Sequence, residues 1–249
     1  MPEALSLALQ TPGLVWVLLA ALLAGTVYGF AGFGSALVFV PMAVAFVPPL
    51  VVVPAFHLSA IMSLFTVFPR AVRVAEPRTT AVLVITSTLA APLGIYLLTS
   101  LPEEVLRWAV SIIVGLTLVA LLSGWRYTTA PGMLATGVVG FAAGTMGSST
   151  GLNGPIVIMF RLGGTDTATQ IRANMLVFLT LNSLFVVPVM AVQGALSGAA
   201  FWLGLVLLIP YGLGTLLGQA LFRPAWQGIY RRVAYALIGV SVIVGLPIW

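Results

Sequence analysis

From Leu14 to Val47 the chain runs 34 residues without one charged side chain. As a single helix at 1.5 Å per residue, that stretch would be about 51 Å long, against a hydrocarbon core of about 30 Å. One straight span cannot absorb this length. A hairpin can: an arm in, a turn near Gly29 to Gly34, and an arm back out, with Pro48 and Pro49 ending it. A second interrupted run, Gly132 to Phe160, contains a small, polar, glycine-rich break from Gly144 through Ser148, Ser149, Thr150 and Asn153 to Pro155. Breaks of this kind leave backbone N–H and C=O groups without helical partners. Inside hydrocarbon they survive only where protein buries them or where they line a cavity. Both read as halves of one intramembrane binding site.

The rest of the chain fits that setting. Of its 249 residues, 61% are hydrophobic and 6% charged, where soluble domains carry about 25% charged residues. The fold expected is an all-α polytopic membrane protein with no room for a soluble domain. Six further spans fall at about residues 54–69, 79–98, 105–124, 173–192, 199–222 and 228–247. There is no cysteine, which excludes disulfides and thiolate metal sites, and neither a metal nor a cofactor is expected. All ten basic residues are arginines scattered in loops. That argues against nucleic acid as a partner and for charges that orient the chain in a bilayer, helped by an interfacial anchor at Trp125-Arg126-Tyr127. The start, Met1-Pro2-Glu3-Ala4, lacks the positive region of a cleaved signal peptide.

Arginine placement selects the topology. If every long run crossed once, loop arginines would divide four against six. If residues 132–160 instead form a re-entrant hairpin, Arg70, Arg73, Arg78, Arg126, Arg161, Arg172, Arg223, Arg231 and Arg232 share one face, with Arg107 opposite beside Glu103 and Glu104. The positive-inside rule favours the second arrangement, with the arginine face cytoplasmic and the C-terminus outside. The glycines Gly25, Gly29 and Gly32 recur 115 residues later as Gly140, Gly144 and Gly147, and Pro92/Gly94 recur as Pro210/Gly212. Residues 1–124 and 125–249 are therefore read as two inverted repeats. Each is a re-entrant or broken-helix hairpin (residues 14–47 and 132–160) plus three transmembrane helices, an architecture of transporters. The bland alternative is that these glycines only let helices pack closely.

The returning arm of each hairpin would start near the midplane with unpaired N–H groups and the positive end of a helix dipole. Two such ends facing each other make an anion site without a buried lysine. Candidate binding residues are Gly32, Phe33, Gly34 and Ser35 at the first tip, and Met146, Gly147, Ser148, Ser149, Thr150, Gly151 and Asn153 at the second. The hydroxyls and amides add donors for an oxyanion, and Phe33 and Met146 would line space for an organic part. His57, near the outer end of its span, and Arg172, at the inner end of the counterpart, could flank the path. The alternatives are a histidine bonded to a backbone carbonyl and a snorkelling arginine. Asn174 and Asn182 lie on one helix, and Asn182 should face the bundle interior. No carboxylate lies inside a span, which disfavours a cation carrier. The one histidine has no carboxylate nearby in sequence to support serine chemistry, so an enzyme is not expected.

At these residues the chain resembles the sulfite exporter TauE/SafE family, also known as the 4-toluene sulfonate uptake permease family. The resemblance rests on residues 29–35 followed by Val40-Pro41, on residues 147–155, and on the Pro92/Gly94 and Pro210/Gly212 pairs. The second break departs from the family's more glycine-rich pattern through Ser148, Ser149 and Thr150. The resemblance implies transport of sulfur-containing anions such as sulfite, sulfoacetate or sulfonates across the bacterial inner membrane. The function expected is secondary transport of such an anion by alternating access; the alternative is a passive anion channel. The partners expected are a small sulfonate-like anion and the lipid bilayer, with a homodimer left open.

Overall fold

In a computed structural model, residues 13–124, 132–162, 166–222 and 227–248 are described, and the Trp125-Arg126-Tyr127 anchor and Arg223 lie outside them. The described residues form twelve α-helices and no strand. Seven segments are long and apolar enough to cross a membrane. The first run divides into α1 (Leu14–Ala31) and α2 (Ser35–Val44), and the break falls where the sequence locates it. The arms are unequal, however. Eighteen residues give α1 about 27 Å, nearly a full span, and ten give α2 about 15 Å. Residues 49–66 follow as α3 (Pro49–Ala60) and the short α4 (Ser63–Thr66), then the one-turn α5 (Phe68–Ala71).

This span begins at Pro49, five residues before the expected start. A proline in the first helical turn gives up an N–H that has no partner there anyway, so Pro49 starts α3 and does not end the preceding arm. The change moves His57 from the end of its span to the middle of the apolar segment 49–66.

The remaining helices are α6 (Pro77–Ser100), α7 (Glu103–Ser123), α8 (Met133–Thr150), α9 (Gly154–Leu162), α10 (Ala168–Val192), α11 (Gly198–Leu221) and α12 (Gln227–Gly245). Their starts carry local signals. The Glu76 carboxylate accepts from the N–H groups of Arg78 and Thr79 to cap α6, Thr167 and Gln170 form a capping box on α10, and Ser197 caps α11. Gly32 (φ 82°) and Gly151 (φ 79°) end α1 and α8 in the left-handed conformation that glycine adopts without a Cβ penalty.

Helix boundaries repeat along the chain. Leu14, Ala31, Ser35 and Pro49 correspond to Met133, Thr150, Gly154 and Ala168, each 119 residues later. That is about one helical turn more than the 115 that the glycines suggest. The glycines mark packing faces. A Cβ on Gly25 would come 2.3 Å from the Tyr211 carbonyl oxygen, and one on Gly29 2.4 Å from that of Thr215, so α1 lies backbone to backbone against α11. Likewise α8 lies against α6, where a Cβ on Gly144 would come 2.1 Å from the Ser87 carbonyl oxygen. The long arm before each break thus packs on a helix remote from it in sequence. Close approach through small residues is what holds helices together where lipid removes the hydrophobic drive. The outer surface keeps large apolar side chains such as Leu89, Leu116 and Val119 exposed.

Candidate functional site

The two breaks are staggered. Gly32 abuts Arg172 on α10, where an added Cβ would come 3.2 Å from the Arg172 Cα; Gly154 abuts Leu179 on the same helix. Seven residues separate those two positions, about 10 Å along the axis. The tips therefore do not meet at one level. They nevertheless share a buried cavity of about 20 Å³, room for one water molecule. Gly34, Ser35, Ala36 and Leu37 line it from the first break, and Asn153, Gly154 and Pro155 from the second. Val38 is the first donor of α2 bonded within the helix, to the Gly34 carbonyl. The N–H groups of Ser35, Ala36 and Leu37 thus belong to the open end that carries positive partial charge.

Around this cavity runs a set of uncharged polar groups. The Asn153 amide donates to the Asn182 side-chain oxygen at 2.5 Å, and the Asn182 amide donates to Ser87 Oγ at 2.6 Å. This chain fixes the second tip to α10 and α6, and Asn182 faces the interior as its depth requires. Tyr28 Oη donates to the Leu176 carbonyl at 3.0 Å and lies 3.2 Å from Thr180 Oγ1, which in turn meets Ser63 Oγ at 2.9 Å. Tyr28, Tyr211, Ser63 and Ser183 line the cavity beside the tips. Sequence reasoning missed all four. Their signal was available for the serines, since polar side chains deep in spans should face the interior, but tyrosines were not weighed.

His57 and Arg172 have parallel tasks. His57 is fully buried, with Nε2 3.2 Å from the Gly147 carbonyl and Nδ1 3.2 Å from Ser183 Oγ. A carbonyl only accepts, so Nε2 carries the proton and Nδ1 accepts from Ser183: the neutral tautomer satisfies both nitrogens. Arg172 donates through Nε to the Phe30 carbonyl at 3.0 Å and through Nη2 to that of Gly29, with its guanidinium 4.2 Å from the Phe222 ring centroid. Each residue thus ties down carbonyls at the end of a long arm, His57 on α8 and Arg172 on α1. Arg172 is held in place and does not snorkel. These contacts cover the negative helix ends beside the tips and leave the positive ends of α2 and α9 toward the cavity.

Other candidates lie elsewhere. Ser149 and Thr150 donate to carbonyls of their own helix, at Thr145 and Met146. Ser148 is turned toward Gly94 on α6, and its buried hydroxyl has no partner. Met146 packs against the apolar core. Gly151 serves the turn and sits against Val40, and Gly147 makes room for Asn153. Asn174 lines neither cavity. Its side-chain oxygen accepts from the Glu76 N–H at 2.7 Å, and its amide donates to Asp166 at 3.3 Å, which pairs with Arg161 at 3.1 Å. Partial burial opposes ionisation of Glu76, but hydrogen bonds from Thr79 and Arg78 outweigh it and hold the carboxyl below its usual range.

Those contacts gather the ends of α6, α9 and α10 at one end of the bundle. The same end holds a cavity of about 460 Å³, within the range of small-molecule sites. Phe30, Arg172, Asp166, Phe222, Tyr230 and Tyr235 are among its lining residues. Arg107 pairs with Glu103 at 2.7 Å at the opposite end of α7. Phe33 lines both this vestibule and the tip cavity.

Seven segments long and apolar enough to cross a membrane, packed around two broken helices, describe a multi-pass membrane protein. The family described as Sulfite exporter TauE/SafE matches residues 17–245, and the chain belongs to it. No curated protein and no solved structure matches.

Proposed function

We propose that the protein is a secondary transporter of sulfur-containing organic anions, working by alternating access in the bacterial inner membrane. The anion's oxygens are held between the N-termini of α2 and α9, with Ser35 and Asn153 as side-chain donors. The observation that carries this is the convergence of both tips on one small cavity whose polar lining groups, Ser35 and Asn153 among them, carry no formal charge. Family membership supplies the transport class. The repeated helix boundaries and the exchange of long arms support two inverted repeats, residues 1–124 and 125–249, rocking about the tips. The arginine-rich end with its vestibule is the cytoplasmic end, by the positive-inside rule, which puts the C-terminus outside. A tip cavity collapsed to the size of one water supports alternating access over a standing channel.

A thermal-shift screen of purified protein against sulfite, ethanesulfonate, benzenesulfonate and matched carboxylates tests the reading. A sulfonate is expected to stabilise wild type and to lose that effect in Ser35→Ala/Asn153→Ala. A carboxylate-only response would refute the sulfur-anion assignment, and an undiminished shift in the double variant would refute the site.

A further inference from the structure

Phe33 is placed unlike any other residue near the tips. It stands between Gly32 (φ 82°) and Gly34 (φ 91°), two left-handed glycines that bracket one side chain. A Cβ on Gly32 would come 2.6 Å from the Arg172 Cγ, so the left-handed hinge is seated directly against the arginine that lines the vestibule. Among the described residues, Phe33 alone lines both the vestibule of about 460 Å³ and the tip cavity of about 20 Å³. It is half-buried, whereas its neighbours Gly32, Gly34 and Ser35 are buried.

We infer that Phe33 is a gate: its ring separates the vestibule at the arginine-rich end from the anion site between the tips, and rotation about the Gly32 and Gly34 hinge opens the passage. Three observations carry this. Phe33 lines both spaces. The backbone on either side is glycine in the left-handed region, and a residue without Cβ can leave that conformation for others at little steric cost, as a hinge requires. The two spaces differ more than twenty-fold in volume, so the larger cavity admits an organic anion while the smaller does not until the gate moves. Arg172, fixed by the Gly29 and Phe30 carbonyls and by Phe222, is the cationic side chain that an anion waiting in the vestibule meets.

The gate rests on the tip cavity being the substrate site, but its test needs no substrate, so the two readings fail separately. The chain has no cysteine, so single cysteines can be introduced without background. S35C reports on the tip cavity and A168C, an exposed vestibule residue, reports on the vestibule. Both are labelled in detergent with the anionic thiol reagent 2-sulfonatoethyl methanethiosulfonate. A gate that is open in a minor population slows labelling behind it by about ten-fold or more. S35C is therefore expected to react at least about ten-fold faster with F33A than with the native ring, with F33L in between and A168C unchanged throughout. Equal S35C rates with Phe33, F33L and F33A, while A168C reacts normally, would overturn the gate. Should F33A fail to stay monodisperse, the F33L comparison decides by itself: acceleration supports the gate and an unchanged rate overturns it.

Discussion

Gly144 and Gly137 lie two turns apart on α8 and should respond to alanine with opposite sign. The intrinsic term is shared, because alanine is favoured over glycine inside a helix by about 1 kcal/mol. At Gly137 an added Cβ meets only the Thr86 methyl, at 3.7 Å, an ordinary contact. Gly137→Ala should therefore gain roughly 0.5–1 kcal/mol. At Gly144 the same atom would come 2.1, 2.6 and 2.7 Å from the carbonyl oxygen, Cα and carbonyl carbon of Ser87. All three are backbone atoms of α6, so no rotamer change relieves them and the helices must separate. Overpacking costs about 1–3 kcal/mol, and a contact made wholly of backbone belongs at the upper end. After the intrinsic gain, Gly144→Ala should lose about 1–2 kcal/mol. For a chain of this size that is a fall in Tm of roughly 2–8 °C, against a rise of roughly 1–4 °C for Gly137→Ala. Tryptophan-fluorescence melting of detergent-purified protein reads both. A Gly144→Ala protein as stable as wild type would refute the close α6–α8 contact.

Arg172→Gln should leave the Gly29 and Phe30 carbonyls short of donors and lower stability by about 1–3 kcal/mol, with Arg172→Lys between it and wild type in the same melt. Asn182→Leu removes the middle of the Asn153–Asn182–Ser87 chain, and should both lower Tm and abolish the sulfonate-induced shift; a preserved shift would detach this chain from the site. For Glu76 the sign follows from a folded carboxyl held below its unfolded range. Its capping contribution is present above the unfolded value, near pH 4 to 5, and is lost as pH falls through the folded value. The stability gap between wild type and Glu76→Gln, at most about 1 kcal/mol for a partly exposed cap, should hold at pH 7 and close toward pH 3. A gap that widens on acidification would contradict the capping geometry.

The breaks were legible because length arithmetic is unforgiving: 34 uncharged residues exceed one span, and glycines at 32 and 34 are where the chain can turn. The six long spans were likewise marked by their bounding charges and prolines. His57 was misplaced because Pro54 was read as a helix start, when Pro49 fills the first turn and Pro54 is carried inside α3. The recurring glycines fall at a spacing of 115 residues and the helix boundaries at 119, because the glycines report which face packs on α11 or α6. Ser149 and Thr150 looked like ligands by composition, but an intrahelical carbonyl is always within a hydroxyl's reach. The partner of His57, the Gly147 carbonyl, is a backbone atom 90 residues away, and no residue pattern announces such a contact. Tyr28 and Tyr211 were not weighed, since only the fold brings them to the tips.

The decisive measurement is an experimental structure of the protein with whichever sulfonate gives the largest thermal shift. Its oxygens are expected within hydrogen-bonding distance of the α2 N-terminal N–H groups and Asn153, with Phe33 closing the vestibule side. Clear density for the anion only against Arg172 in the vestibule, with the tips still empty and collapsed, would contradict an anion site built from two helix ends.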